Sequence, residues 1–234
     1  LNSSKAGIIG SVSALFYRNQ SKRVIYTVHG WVFDETLGKV TAFMYKILEK
    51  LSTRLKTDII LLSKKEFSTA CDKLKIPKNK LHFIPLGIPN PQHILSREEA
   101  KAQIQSYLQN TKLSSKAFTI GIIANLYHTK GIDIHLQALS RFPKAELEKT
   151  QTLILGDGPE REKLLRLSEK LNLKNYVHFL GFIDKAARLL PAFDLSAIPS
   201  RKEGSPYILK EAISRHVPVL ISKVGDAEEY ITHK

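Results

Sequence analysis

The stretch Arg201-Lys-Glu-Gly-Ser-Pro-Tyr-Ile-Leu-Lys-Glu-Ala-Ile213 puts two carboxylates on either side of a helix start. Ser205 is a favoured N-cap and Pro206 a favoured first helical residue, so the sequence predicts a helix beginning there with its unpaired backbone N–H groups open to an anion. Glu203 then falls in the loop before the helix, and Glu211 more than a turn inside it. A carboxylate close to a phosphate is repelled unless it faces hydroxyl groups, and a vicinal diol can donate two hydrogen bonds to one carboxylate. The pattern therefore assigns Glu211 to the ribose and Glu203 to the transferred sugar of a nucleotide sugar, with Gly204, Ser205, Pro206 and Tyr207 at the helix start as further donor-binding residues.

Outward from this stretch, short β-branched runs alternate with helical periodicity, the pattern of parallel sheets flanked by helices. Strands are predicted over residues 24–28, 58–62, 81–84, 118–124, 152–155, 176–179, 195–198 and 217–221. The clearest predicted helices span 6–17, 35–56, 64–74, 97–109, 132–140, 160–171 and 207–215. A polar stretch from Asn110 to Lys116 separates the halves, so two Rossmann-like domains are expected, 1–114 and 115–234. Ligands of open α/β sheets sit at the carboxyl ends of strands, and each candidate residue follows one. Lys130-Gly131 brings a cation and free N–H groups together after the strand 118–124. Asn125, in the same connection, offers a donor without charge. His29-Gly30 follows the first strand, and Gly30 permits close backbone approach. Gly156-Asp-Gly158 is a turn after the strand 152–155; with two glycines it is not a dinucleotide fingerprint. Phe182 and Ile183 follow Phe179-Leu-Gly181.

The spacing of Glu203 and Glu211, with seven residues between them, resembles the motif of the retaining glycosyltransferases of family 4. Further segments resemble that family in the expected order: Tyr26-Thr-Val-His-Gly30, Ile84-Pro-Leu-Gly-Ile88, Gly121 to Gly131, Leu155-Gly-Asp-Gly-Pro159, Phe179-Leu-Gly-Phe182 and Ile198-Pro-Ser200. The resemblance covers nearly the whole chain. It implies an α/β GT-B fold, two Rossmann-like domains facing across a cleft, with the acceptor on the first and the nucleotide sugar on the second. It also implies roles. Lys130 lies against the donor diphosphate, with Asn125, Gly131 and Gly156 near the nucleotide. His29 lies near the donor sugar and diphosphate, and Phe182 and Ile183 flank the base. Glu203, His29 and Lys130 form the catalytic group. The family's usual arginine is absent, since Ala124 and Asn125 occupy its stretch, and Arg201 or Lys202 is the candidate to supply that charge. The implied reaction moves a sugar from a UDP- or GDP-sugar to a sugar or lipid-linked acceptor with retention, the leaving phosphate taking the acceptor proton, with no cofactor and no metal. Family members are longer, so a fragment lacking both ends is expected.

The formal charge is +14. Residues 1–116 hold 19 Lys and Arg against 8 Asp and Glu, whereas 117–234 hold 17 against 14. A basic first half suits an anionic membrane surface, an anionic polysaccharide, nucleic acid or simple solubility. No recognised nucleic-acid motif or stacking platform accompanies it, so no nucleic-acid partner is expected. The single cysteine, Cys71, excludes an internal disulfide and a cysteine metal cluster, and the 8 histidines show no metal-ligand spacing. No apolar run approaches the roughly 18 residues of a membrane span. The expected location is the cytoplasm, with peripheral attachment to the inner face of the plasma membrane. Two other classes stay open. One is a non-catalytic module binding anionic lipid or polysaccharide; the other is a sugar-nucleotide epimerase, which would give product without an acceptor.

Overall fold

The structure, a computed structural model, describes residues 3–16, 23–34, 37–90, 93–108 and 113–231. The chain forms two compact units. One comprises Leu1–Gly87, Lys202–Pro206 and Val224–Lys234, the other Ile88–Arg201 and Tyr207–Lys223. Each is α/β with an all-parallel sheet, the Rossmann-like architecture of the expected GT-B class.

In the first unit helix α1 (Ser4–Phe16) precedes strand β1 (Ile25–Val28), helix α2 (Lys39–Ser52), strand β2 (Asp58–Leu61), helix α3 (Lys64–Asp72) and strand β3 (Leu81–Phe83). The strands pair in the order β1-β2-β3, with Thr27 opposite Ile60 and Ile60 opposite His82. Tyr26, Val28, Ile59, Leu61 and Leu74 form the core, joined by Trp31, whose ring stacks on Phe33 at 5.7 Å. One side of this core is polar. Lys56 and Glu49 form a fully buried ion pair at 3.3 Å, and the Lys56 ammonium sits 3.7 Å from the centroid of the Tyr26 ring. Burial pulls the Lys56 pKa down while Glu49 opposes it. Losing either partner strands the other's charge, typically at a cost of about 3–5 kcal/mol.

The second unit contains helix α4 (Arg97–Tyr107), strand β4 (Phe118–Ile123), helices α5 (Ile132–Leu139) and α6 (Lys144–Leu147), strand β5 (Thr150–Leu155), helix α7 (Arg161–Lys170), strands β6 (Val177–Gly181) and β7 (Leu195–Ile198), helix α8 (Tyr207–Ser214) and strand β8 (Val219–Ile221). Its strand order is β6-β5-β4-β7-β8. The order reverses at β4, where parallel α/β sheets place their ligands. The last helix, α9 (Ala227–Tyr230), returns to the first unit.

All eight predicted strands and all seven predicted helices are present, with ends shifted by a few residues. Residues 17, 35, 36 and 109, where three of those helices were expected to begin or end, lie outside the described residues. The helix predicted from 35 begins at Lys39. The compact units do not divide at a single point near 114. Helix α4 groups with the second unit because Ala100 and Ile104, both 0% exposed, pack in a core with Leu189, Leu190 and Phe193. An Arg97–Asp194 ion pair at 2.6 Å fixes it there, and Asp194 also accepts from the Thr119 N–H of β4.

Candidate functional site

In the first unit, the connections after β1 and β2 meet the two later segments around a cavity of about 70 Å³. Gly30, Trp31, Glu66, Lys202, Glu203 and Gly204 are among its lining residues. Trp31 is buried and anchors the post-β1 loop, its indole N–H reaching the Glu66 carbonyl at 3.4 Å. Ser63 caps α3 by accepting the Glu66 N–H at 3.2 Å, and Glu66 Oε2 accepts the Leu62 N–H at 3.0 Å. The segment 202–206 comes in very close. A Cβ on Gly204 would lie 2.8 Å from the His29 carbonyl oxygen and 3.2 Å from Glu66 Oε1, so only glycine permits the approach. The Lys202 ammonium donates to the Trp31 carbonyl at 3.4 Å, and the Ser205 hydroxyl donates to Asp226 Oδ2 at 2.5 Å. Burial pushes the Glu66 carboxyl up to about 7, reinforced by the negative charge of Asp226 and opposed by the N–H groups of Leu62, Ser63 and Gly30.

In the second unit, the loops at the carboxyl ends of the strands are stitched together by backbone hydrogen bonds. Leu126 N–H donates to Asp157 (2.9 Å), Gly156 N–H to Gly181 (2.7 Å) and Arg201 N–H to Thr129 (2.8 Å). Asn125 is exposed on the first of these loops. Lys130 ends a short 3₁₀ turn, His128–Lys130, and Gly131 follows at φ 65° as the residue before α5. Of Arg201 and Lys202, the two candidates for the family's missing charge, Arg201 is already ion-paired. Its guanidinium grips the Asp133 carboxylate through two bonds, 2.7 and 2.6 Å, and also donates to the His128 carbonyl, so it braces the Lys130 loop. Arg201 in turn holds the Asp133 pKa down.

Helix α8 begins at Tyr207, which is half exposed, directly after the buried Pro206. Glu211 lies on its second turn, half-buried, with burial raising its pKa against the opposing charge of Arg215. Phe182 is 73% exposed after β6, whereas Ile183 is 5% exposed and packed in the core with Leu189 and Leu190. Only the Ile183 backbone is left to meet a ligand.

The structure thus gathers Glu203 and Gly204 at one cavity, with the His29 carbonyl against Gly204, and Asn125, Lys130, Gly131 and Gly156 at one set of loops. Sequence reasoning missed Glu66 and Asp133. Ser63 and Glu66 carry the spacing of a helix capping box, which signals the cap but not the cavity behind it. Among the described residues, no group of three or more His, Cys, Asp or Glu could hold a metal ion.

The family model described as "Glycosyl transferases group 1" matches residues 103–234. A curated relative from Escherichia coli, UDP-Gal:alpha-D-GlcNAc-diphosphoundecaprenol alpha-1,3-galactosyltransferase, is 26% identical over 226 residues, 96% of this chain and 57% of its own length. Among solved structures, Anabaena HepE in complex with UDP-glucose is similar with a TM-score of 0.79 at 23% identity, over 98% of this chain and 60% of that one. WaaG, a glycosyltransferase involved in lipopolysaccharide biosynthesis, is similar with a TM-score of 0.75 at 20% identity, over 94% and 64%. The chain spans about half the length of the curated relatives it matches.

Proposed function

The chain belongs to the glycosyl transferases group 1 family, and on that premise we propose that it transfers a sugar from a nucleotide-diphosphate sugar to an acceptor hydroxyl with retention of configuration, in the synthesis of a cell-surface polysaccharide or glycolipid. The observation that carries this reading is the cavity whose lining includes Glu203 and Gly204, read from sequence as sugar and donor contacts, together with Lys202. UDP is the favoured nucleotide, because similar structures hold UDP or UDP-glucose. Glu203 positions the sugar and His29 lies beside it, while Glu211 takes the ribose hydroxyls. Lys130, the backbone at Gly131 and the start of α8 stabilise the charge that grows on the departing diphosphate, a role in which a single preorganised donor is worth a few kcal/mol. Asn125, Gly156, Phe182 and the Ile183 backbone complete the nucleotide contacts. The leaving phosphate takes the acceptor proton, and no metal takes part.

The test is a thermal-shift titration with UDP, GDP and ADP beside Glu211→Ala. A ligand at 100 times its Kd stabilises a fold by about 2.7 kcal/mol. A shift with UDP that disappears in the variant supports the donor site. A folded chain that shifts with none of the three counts against it and favours the binding-module alternative. Product formed without an acceptor favours the epimerase.

The first unit also carries the observation that favours an anionic membrane surface as a partner. Val40, Phe43, Met44, Ile47 and Leu51 recur along one stripe of α2, all 43% exposed or more, and Lys39, Lys46 and Lys50 share the helix. Such helices lie in the interface plane with basic residues against anionic headgroups. No helix among the described residues is long and apolar enough to cross a membrane.

A further inference from the structure

At the cavity of the first unit, Oε1 of Glu66 has no hydrogen-bond partner among the described residues, although the residue is only 5% exposed. Leaving a buried acceptor unpaired is destabilising, the more so for a charged one. The helix cap does not need this oxygen, since Oε2 already takes the Leu62 N–H. Nor does Trp31, which uses the Glu66 carbonyl. Oε1 lies against Gly204, whose backbone comes so close that a Cβ there would stand 3.2 Å from it, and Glu66 is one of the residues lining the cavity.

A group in the cavity that pairs with the ionised Oε1 must donate a hydrogen bond. A phosphate would be repelled by the carboxylate, and an apolar group would leave the oxygen unpaired. The cavity has room for several water-sized groups, at roughly 10–15 Å³ each, enough to admit the hydroxyl edge of a sugar. We propose that Glu66 is a substrate-contacting residue, its Oε1 accepting a hydrogen bond from a hydroxyl of the transferred sugar beside Glu203. The inference rests on the sugar-transfer reading above. The charged groups around this carboxyl are Asp34, Glu203 and Asp226 on one side of the balance and Lys65 and Lys202 on the other. Because the carboxyl titrates near neutrality, and a bond to the ionised form is the stronger one, the contact tightens as pH rises.

The experiment is calorimetric titration of the chain with UDP, UDP-glucose and UDP-galactose at pH 6 and pH 8, on the wild type, Glu66→Gln and Glu66→Leu, with circular dichroism as the folding control. The expected result is that one UDP-sugar binds the wild type more tightly than UDP at pH 8. That advantage falls by about tenfold in Glu66→Leu while UDP affinity stays put, as loss of one charge-assisted bond implies. It shrinks at pH 6 in the wild type and becomes independent of pH in Glu66→Gln. Glu66→Gln keeps the size of the side chain and an acceptor for Leu62, so it decides the matter if Glu66→Leu does not fold. An unchanged ratio of UDP-sugar to UDP affinity in the variants overturns the proposal, and so does a wild type that prefers neither UDP-sugar. Absence of UDP binding altogether is a different signal, which removes the donor reading and this inference with it.

Discussion

Gly131 occupies the left-handed region at φ 65°, and a Cβ placed there would lie 2.0 Å from the Pro199 carbonyl oxygen. An L-residue in that conformation costs about 1–2 kcal/mol before any clash. Gly131→Ala is therefore expected to destabilise the second unit by more than that, read as a lower urea midpoint. His135 gives a pH prediction. It is buried on α5 with its ring against the Thr152 hydroxyl, and burial pulls its pKa down to about 4. Between about pH 4 and 6.5 the unfolded chain binds the extra proton, so stability rises with pH across that window and is lost as pH falls through it. The full effect is on the order of 3 kcal/mol, and His135→Asn should flatten the slope in urea titrations. Glu66 runs the other way. With its pKa raised to about 7, the folded state binds the extra proton between about pH 4.5 and 7, so stability falls as pH rises through that range. Glu66→Gln should remove that fall. The sequence marked Gly131 for its open N–H groups; that Pro199 demands a glycine there became visible only in the folded unit.

Helix α8 was legible because its start is written locally, in Ser205, Pro206 and the apolar residues that follow. What the local reading could not supply was the company of Ser205, whose hydroxyl meets Asp226. The start of α3 shows the same division, its cap readable from Ser63 and Glu66 and its cavity not. The apolar stripe on α2 belongs to this scale too, since it is a property of the helix and of no single residue. Phe43→Ser with Ile47→Ser is expected to abolish sedimentation of the chain with vesicles containing anionic lipid. Wild-type binding should weaken as salt rises, because exposed charges are screened beyond about 10 Å at 0.1 M. Vesicle binding unaffected by either change would remove the membrane reading.

For the molecule as a whole, the proposed chemistry predicts that Lys130→Ala lowers turnover far more than it weakens UDP binding, whereas Glu211→Ala mainly weakens binding. Single-turnover kinetics and calorimetry separate the two, and unchanged values in both variants would remove these site assignments. Strand and helix positions were determined by the sequence alone, because periodicity, capping and turn chemistry act over a few neighbouring residues, and the family and fold class were determined by the resemblance of its motifs. The tertiary structure decided the rest. It placed α4 with the second unit, locked Arg201 onto Asp133, buried Ile183 and set Glu66 at the cavity beside Gly204. Each of these depends on segments far apart in the chain being drawn together by sheet pairing and core burial, and no local pattern encodes which distant partner a side chain will meet.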